Sequence, residues 1–145
     1  MPILRPASAA DAVAVNELLK SNMLMELDAG AQFGSQYVLA VEVDTSVVGI
    51  AGVELYGDDG LLRSVAVSEA ARFRGLGSRI SADRIAWARS QGIRALYLLT
   101  TTAESYFARH GFAVIAREAA PVAIAASYQW SSACPSSSVA MKLTL

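Results

Sequence analysis

Apolar residues at Ala12, Val15, Leu18 and Leu19 recur at the spacing of one helix face. Ser8, with Asp11 three residues later, resembles a capping box, so a helix from about Ala9 to Lys20 is predicted. Ahead of it, Pro2-Ile3-Leu4-Arg5 reads as a short strand limited by Pro6. Ser21-Asn22 interrupts the helical pattern. A second short helix over Met23 to Leu27 and a loop from Asp28 to Ser35 are expected next.

The pattern then changes to strands. Gln36 to Glu42 and Val47 to Tyr56 are apolar runs joined by a short polar turn, an antiparallel hairpin. Gly49 and Gly52 inside the second run point to a bulge or a close backbone approach. Gly57-Asp58-Asp59-Gly60 turns the chain back into a strand over Leu61 to Val67.

Next comes the basic turn Arg72-Phe73-Arg74-Gly75-Leu76-Gly77-Ser78, which opens a helix ending near Gly92. Leu76, Ile80, Ile85, Trp87 and Ala88 form its apolar side, and Arg79, Arg84 and Arg89 are expected mostly toward solvent. Arg94 to Thr100 is a further strand. Thr101 and Glu104 make a second capping-box pattern before a helix stopped by Gly111, and Phe112 to Ala116 is a strand. Pro121 opens a helical turn over Val122 to Ser127, a Ser-rich loop spans Ser131 to Ser138, and Val139 to Leu145 alternates as a last strand. About seven strands with four to five helices make an α+β domain, read as a single domain over residues 1–145.

Strand, glycine turn, helix, strand is the layout in which a helix N-terminus meets a phosphate. One G-x-G without a third glycine is not the dinucleotide fingerprint, and no Lys-Ser/Thr pair makes it a Walker A loop. An anion-binding turn with Arg72 and Arg74 beside it remains, set against an ordinary helix start with solvated arginines.

Composition removes other classes. A chain of 145 residues with 12 basic and 13 acidic side chains carries a net charge of -1, which argues against a general nucleic-acid binder. No apolar run reaches 18 residues and the N-terminal stretch does not read as a signal peptide, so no membrane span and a cytoplasmic location are expected. One cysteine, Cys134, and one histidine leave few ligands for a metal, and none is assigned.

Taken together, the order of elements, the Arg72-x-x-Gly75-x-Gly77 turn after Val65-Ala66-Val67, and Gly111-Phe112 downstream resemble the GCN5-related N-acetyltransferase (GNAT) superfamily over essentially the whole chain. More narrowly, Leu62-Arg63-Ser64, Leu96 to Ala103, Arg117-Glu118 and Cys134-Pro135 resemble a small subgroup of arsenic-resistance N-acetyltransferases. The resemblance implies a three-layer α-β-α fold around a mixed, mostly antiparallel sheet. It also implies acetyl-coenzyme A (acetyl-CoA) as acetyl donor, with pyrophosphate on Arg72, Phe73, Arg74, Gly75, Leu76, Gly77 and Ser78. Val65, Ala66 and Val67 would line the pantetheine arm, with the main chain near Val67 holding the thioester oxygen, and Thr100 and Phe107 would also meet the donor. Relatives often carry Asn where Thr100 stands, and Tyr, the proton donor to the leaving thiolate, where Phe107 stands. Neighbouring Tyr106 is a candidate substitute acid, set against a place in the core or the pocket wall.

On the acceptor side, Glu54 is the candidate base, set against an exposed or structurally paired strand carboxylate. Strand alternation puts either Arg63 or Ser64 toward the pocket, and Arg63 suits an anionic acceptor or a surface or intramolecular salt bridge. Trp130 and Cys134 are candidate acceptor contacts or packing groups. The resulting reading is an N-acetyltransferase acting on a small-molecule amine, linked to arsenic or toxic amino-acid resistance. A non-catalytic acetyl-CoA sensor and a protein or peptide N-acetyltransferase are the alternatives. Relatives often form homodimers, and the last strand or an exposed sheet edge is the expected pairing surface.

Overall fold

The computed structural model describes residues 2–27, 33–133 and 137–145, without the side chains of residues 132 and 133. Cys134, Pro135 and most of the Asp28–Ser35 loop lie outside the described residues. Seven strands form one mixed sheet: β1 (Ile3–Pro6), β2 (Tyr37–Val41), β3 (Val47–Tyr56), β4 (Asp59–Val67), β5 (Ala95–Thr100), β6 (Ala113–Ile115) and β7 (Val139–Thr144), in the order β1-β2-β3-β4-β5-β7-β6. The described α-helices are α1 (Ala12–Ser21), α2 (Leu76–Ser90), α3 (Glu104–Arg109) and α4 (Val122–Ala125). The chain divides into two compact units, residues 1–53 with 64–84, and residues 54–63 with 85–145.

In the first unit, β1 and β3 flank β2 antiparallel, with Ile3 opposite Val41 and Tyr37 opposite Gly52. Alternation along β2 assigns the two faces. Tyr37, Leu39 and Val41 pack with Val15, Leu18 and Leu19 of α1, whereas Val38 and Ala40 pack with Leu76 and Ile80 of α2. Helix, sheet and helix therefore make the three layers of this α+β fold.

The capping box at Ser8 forms, its N–H donating to the Asp11 carboxylate at 2.9 Å. A 3-10 turn over Ala9–Asp11 precedes α1. The expected helix over Met23 to Leu27 does not form. Met23 takes a left-handed φ of 59°, while the Met23 and Leu24 N–H groups close back on the Lys20 and Leu19 carbonyls. Leu27 is then clamped by Asn16, whose side-chain amide pairs with both its N–H and its carbonyl.

Arg84 also departs from its predicted place at the surface: it is buried. Its guanidinium donates to the Ser35 and Gln36 carbonyls at 2.7 and 2.9 Å and pairs with Asp83. Those partners supply what makes a buried guanidinium tolerable.

In the second unit, β5 runs parallel to β4 over Asp59↔Ala95 to Leu61↔Tyr97 and antiparallel to β7 over its whole length. β6 pairs β7 on the other side over Ala140 to Lys142, so the last strand lies inside the sheet order and not at its end. Its core holds Leu61, Tyr97, Ile124, Trp130 and Ala140. Helix α3 ends at Gly111 (φ 93°), with Phe112 N–H on the Phe107 carbonyl, as α2 ends at Gly92 (φ 80°). The capping box expected from Thr101 and Glu104 is replaced. Ala103 is the N-cap, and its N–H donates to the Thr100 hydroxyl at 3.0 Å.

Candidate functional site

The basic turn is built from backbone conformation. Phe73 (φ 66°) and Gly75 (φ 74°) are both left-handed, so peptide groups on either side of Arg74 point alternately. Alternation of this kind gathers N–H groups into an anion-holding concavity. Gly75 takes its conformation without strain; Phe73 does not, and its ring is fully exposed. The first bond of α2 runs from Arg79 N–H to the Gly75 carbonyl, leaving Leu76, Gly77 and Ser78 as the first-turn residues whose N–H groups precede the helical ladder. A helix of 15 residues adds its positive end to the same place.

Arginines steady this turn. Arg72 donates to the Val67 carbonyl (3.3 Å) and the Asn22 side chain (2.8 Å), and Arg74 pairs with Glu42 at 3.2 Å. Arg79 donates to the Pro2 carbonyl. A small open cleft beside the turn is lined by Pro2, Arg74, Gly75, Leu76 and Arg79. Along β4, Val65 and Val67 pack with the α2 side and Ala66 with the α1 side. These side chains face core, so only their main chain is offered to a ligand. Ser64 has φ 59° within the strand, which interrupts the pleat. Arg63 is buried there and Ser64 half-buried.

In the second unit two of the proposed acceptor groups pair with each other. Arg63, its side chain 5% exposed, reaches both oxygens of Glu54 at 3.4 Å. Tyr56, which sequence reasoning did not single out, donates its hydroxyl to the same carboxylate at 3.3 Å. Burial, and then the Glu54 charge, push the Tyr56 phenol up from its ordinary value. The signal was present, because Glu54 and Tyr56 alternate onto one face of β3.

Trp130 is buried, edge-on to Tyr97, with its indole N–H on the Arg117 carbonyl at 3.1 Å and its own carbonyl taken by Arg117. Phe107 is buried between Tyr106 and Phe112, and no hydroxyl stands at that position. Tyr106 is half-buried against His110, whose imidazole is held below its ordinary pKa by burial and then by the Arg109 charge. Thr100 spends its hydroxyl oxygen on the Ala103 cap. Among the described residues no three His, Cys, Asp or Glu side chains converge as a metal site, and no helix is long and apolar enough to cross a membrane.

The acetyltransferase (GNAT) family model matches residues 12–112. The chain belongs to the GNAT family of acetyltransferases. The match runs from α1 through β2 to β5 and the glycine turn, as far as Phe112. No curated protein matches the sequence. Among solved structures, N-acetylglutamate synthase from Neisseria gonorrhoeae, complexed with coenzyme A and N-acetyl-glutamate, aligns with a TM-score of 0.85 at 22% identity. The alignment covers 100% of this chain and 35% of that one, so the chain spans about a third of the synthase. Rv2747 from Mycobacterium tuberculosis, in complex with CoA, aligns at 0.80 with 24% identity, covering 99% of both chains. The ribosomal-protein-S18-alanine N-acetyltransferase from Escherichia coli aligns at 0.75 with 15% identity, covering 99% of this chain and 94% of that chain. At these identities the GNAT likeness is one of fold.

Proposed function

We propose that the protein transfers the acetyl group of acetyl-CoA to the amine of a small-molecule acceptor. The observation that carries this reading is the turn from Arg72 to Ser78, with left-handed Phe73 and Gly75 at the mouth of a 15-residue helix. A pyrophosphate fits such a turn, where N–H groups and the helix's positive end stabilise its charge. Arg72 and Arg74 add charge-assisted contacts. The coenzyme A complexes of the gonococcal synthase and Rv2747 support the same donor.

The pantetheine arm would lie on the main chain of Val65 to Val67, and an amide near Val67 would hold the thioester oxygen. A neutral amine attacks the carbonyl carbon; the C–N bond forms, the C–S bond breaks, and the amine proton passes to Glu54. The coenzyme A thiol, with a pKa near the ~8.5 of free cysteine, leaves as thiolate and takes its proton from water. Phe107 therefore does not abolish transfer.

Arg63 serves as the resident counter-ion of Glu54. The amine panel below includes amino-acid and arsenical amines because of the subgroup resemblance in Leu62-Arg63-Ser64 and Arg117-Glu118, and because the synthase complex holds N-acetyl-glutamate. Phe107, buried where relatives place an acid, favours a second reading, an acetyl-CoA sensor.

Thiol release from acetyl-CoA across the amine panel separates the two. Saturable turnover of one amine, lost when Gly75 or Gly77 carries a bulky side chain, supports the enzyme. Tight coenzyme A binding without turnover of any amine makes the protein a sensor.

A further inference from the structure

Glu54 sits between two donors of unequal accessibility. The Arg63 side chain is 5% exposed and Glu54 18%, so a ligand arriving from solvent meets the carboxylate before the guanidinium. Tyr56 approaches the same carboxylate from along β3, its ring packed against the Leu61, Tyr97, Ile124 and Trp130 cluster. Ring packing alone would be served by phenylalanine. The hydroxyl has its own partner, the Glu54 carboxylate.

We infer that Tyr56 is a positioning residue for acetyl transfer, its hydroxyl acting with the Arg63 guanidinium to fix the Glu54 carboxylate toward the acceptor amine. The inference rests on Glu54 as the proton acceptor proposed above. A carboxylate on a strand swings about three side-chain bonds, and two donors on different strands hold it in one orientation. A base so held is already placed when the amine arrives, which spares the cost of ordering it in the transition state. Arg63 from β4 and Tyr56 from β3 both meet Glu54.

The test compares Tyr56→Phe and Glu54→Gln with wild type, using the best acceptor of the amine panel. Tyr56→Phe keeps the ring and hence the core, and a thermal melt checks that it folds. The expected result is a kcat about tenfold lower with both KM values within about twofold, a base-positioning effect smaller than loss of the base itself. A purely structural role moves the melting temperature and leaves kcat unchanged. Tyr56→Phe with wild-type kcat overturns the positioning role. Glu54→Gln should lose about a hundredfold or more in kcat. If it keeps wild-type kcat, Glu54 is not the base and the inference falls while acetyl transfer stands. Absence of wild-type turnover with every amine removes both.

Discussion

The ring of Tyr37 occupies the space a side chain on Gly52 would need: a Cβ built there lies 2.1 Å from Tyr37 Cε2. The two residues are register partners on β2 and β3, and Tyr37 is fully buried. Gly52→Ala must displace an aromatic ring from a closed core. A loss of about 3 kcal/mol is expected, and denaturant unfolding with an unchanged m-value measures it.

Met23 offers the opposite case. Its φ of 59° costs an L-residue roughly 1 kcal/mol, and its side chain is 94% exposed, so little contact is lost on removing it. Met23→Gly relieves the strain, less the entropy that glycine adds to the unfolded chain. The variant should be more stable by about 0.5 kcal/mol, seen as a higher denaturant midpoint.

Asp11 is held at a pKa of about 2 by its hydrogen bonds with Arg5, with burial opposing and the Ser8 contacts adding. A folded pKa below the unfolded value means this stability is present above about pH 4. It is lost as pH falls toward 2. Asp11→Asn should therefore flatten the stability profile between about pH 4 and pH 2, as equilibrium unfolding across that window would show.

Gly75 has open space around the position of a Cβ but a φ of 74°. Gly75→Ala is thus resisted by backbone conformation and not by crowding. The turn should relax out of its left-handed form at a cost of roughly 1 kcal/mol, and coenzyme A should bind about tenfold more weakly for the loss of aligned N–H groups. Titration calorimetry reads the affinity, and a melting temperature lowered by only a few degrees shows the fold intact.

The strands were legible because their signal is local. β3 runs from Val47 to Tyr56 as the apolar run predicts, and the glycine turn announces α2. Arg84 was misplaced because its partners, the Ser35 and Gln36 carbonyls, are main-chain atoms almost fifty residues away, and a carbonyl leaves no mark in a sequence. Met23 was misread for a related reason. A left-handed stop normally shows itself as glycine, and here a methionine tolerates it. The Glu54–Arg63 pair could be posed as an alternative in the sequence, but only the strand geometry shows that each takes the other.

A peptide chain emerges from the ribosome in order, and its sheet need not assemble in that order. β6 is made about twenty-five residues before β7, yet its ladder within the described residues is to β7 alone, while β5 waits for the same strand along its whole length. A nascent chain ending near Pro135 would hold β5 with a bare apolar edge and β6 with nothing to join. That interval is where self-association competes with folding, and six residues, Val139–Thr144, bring it to an end.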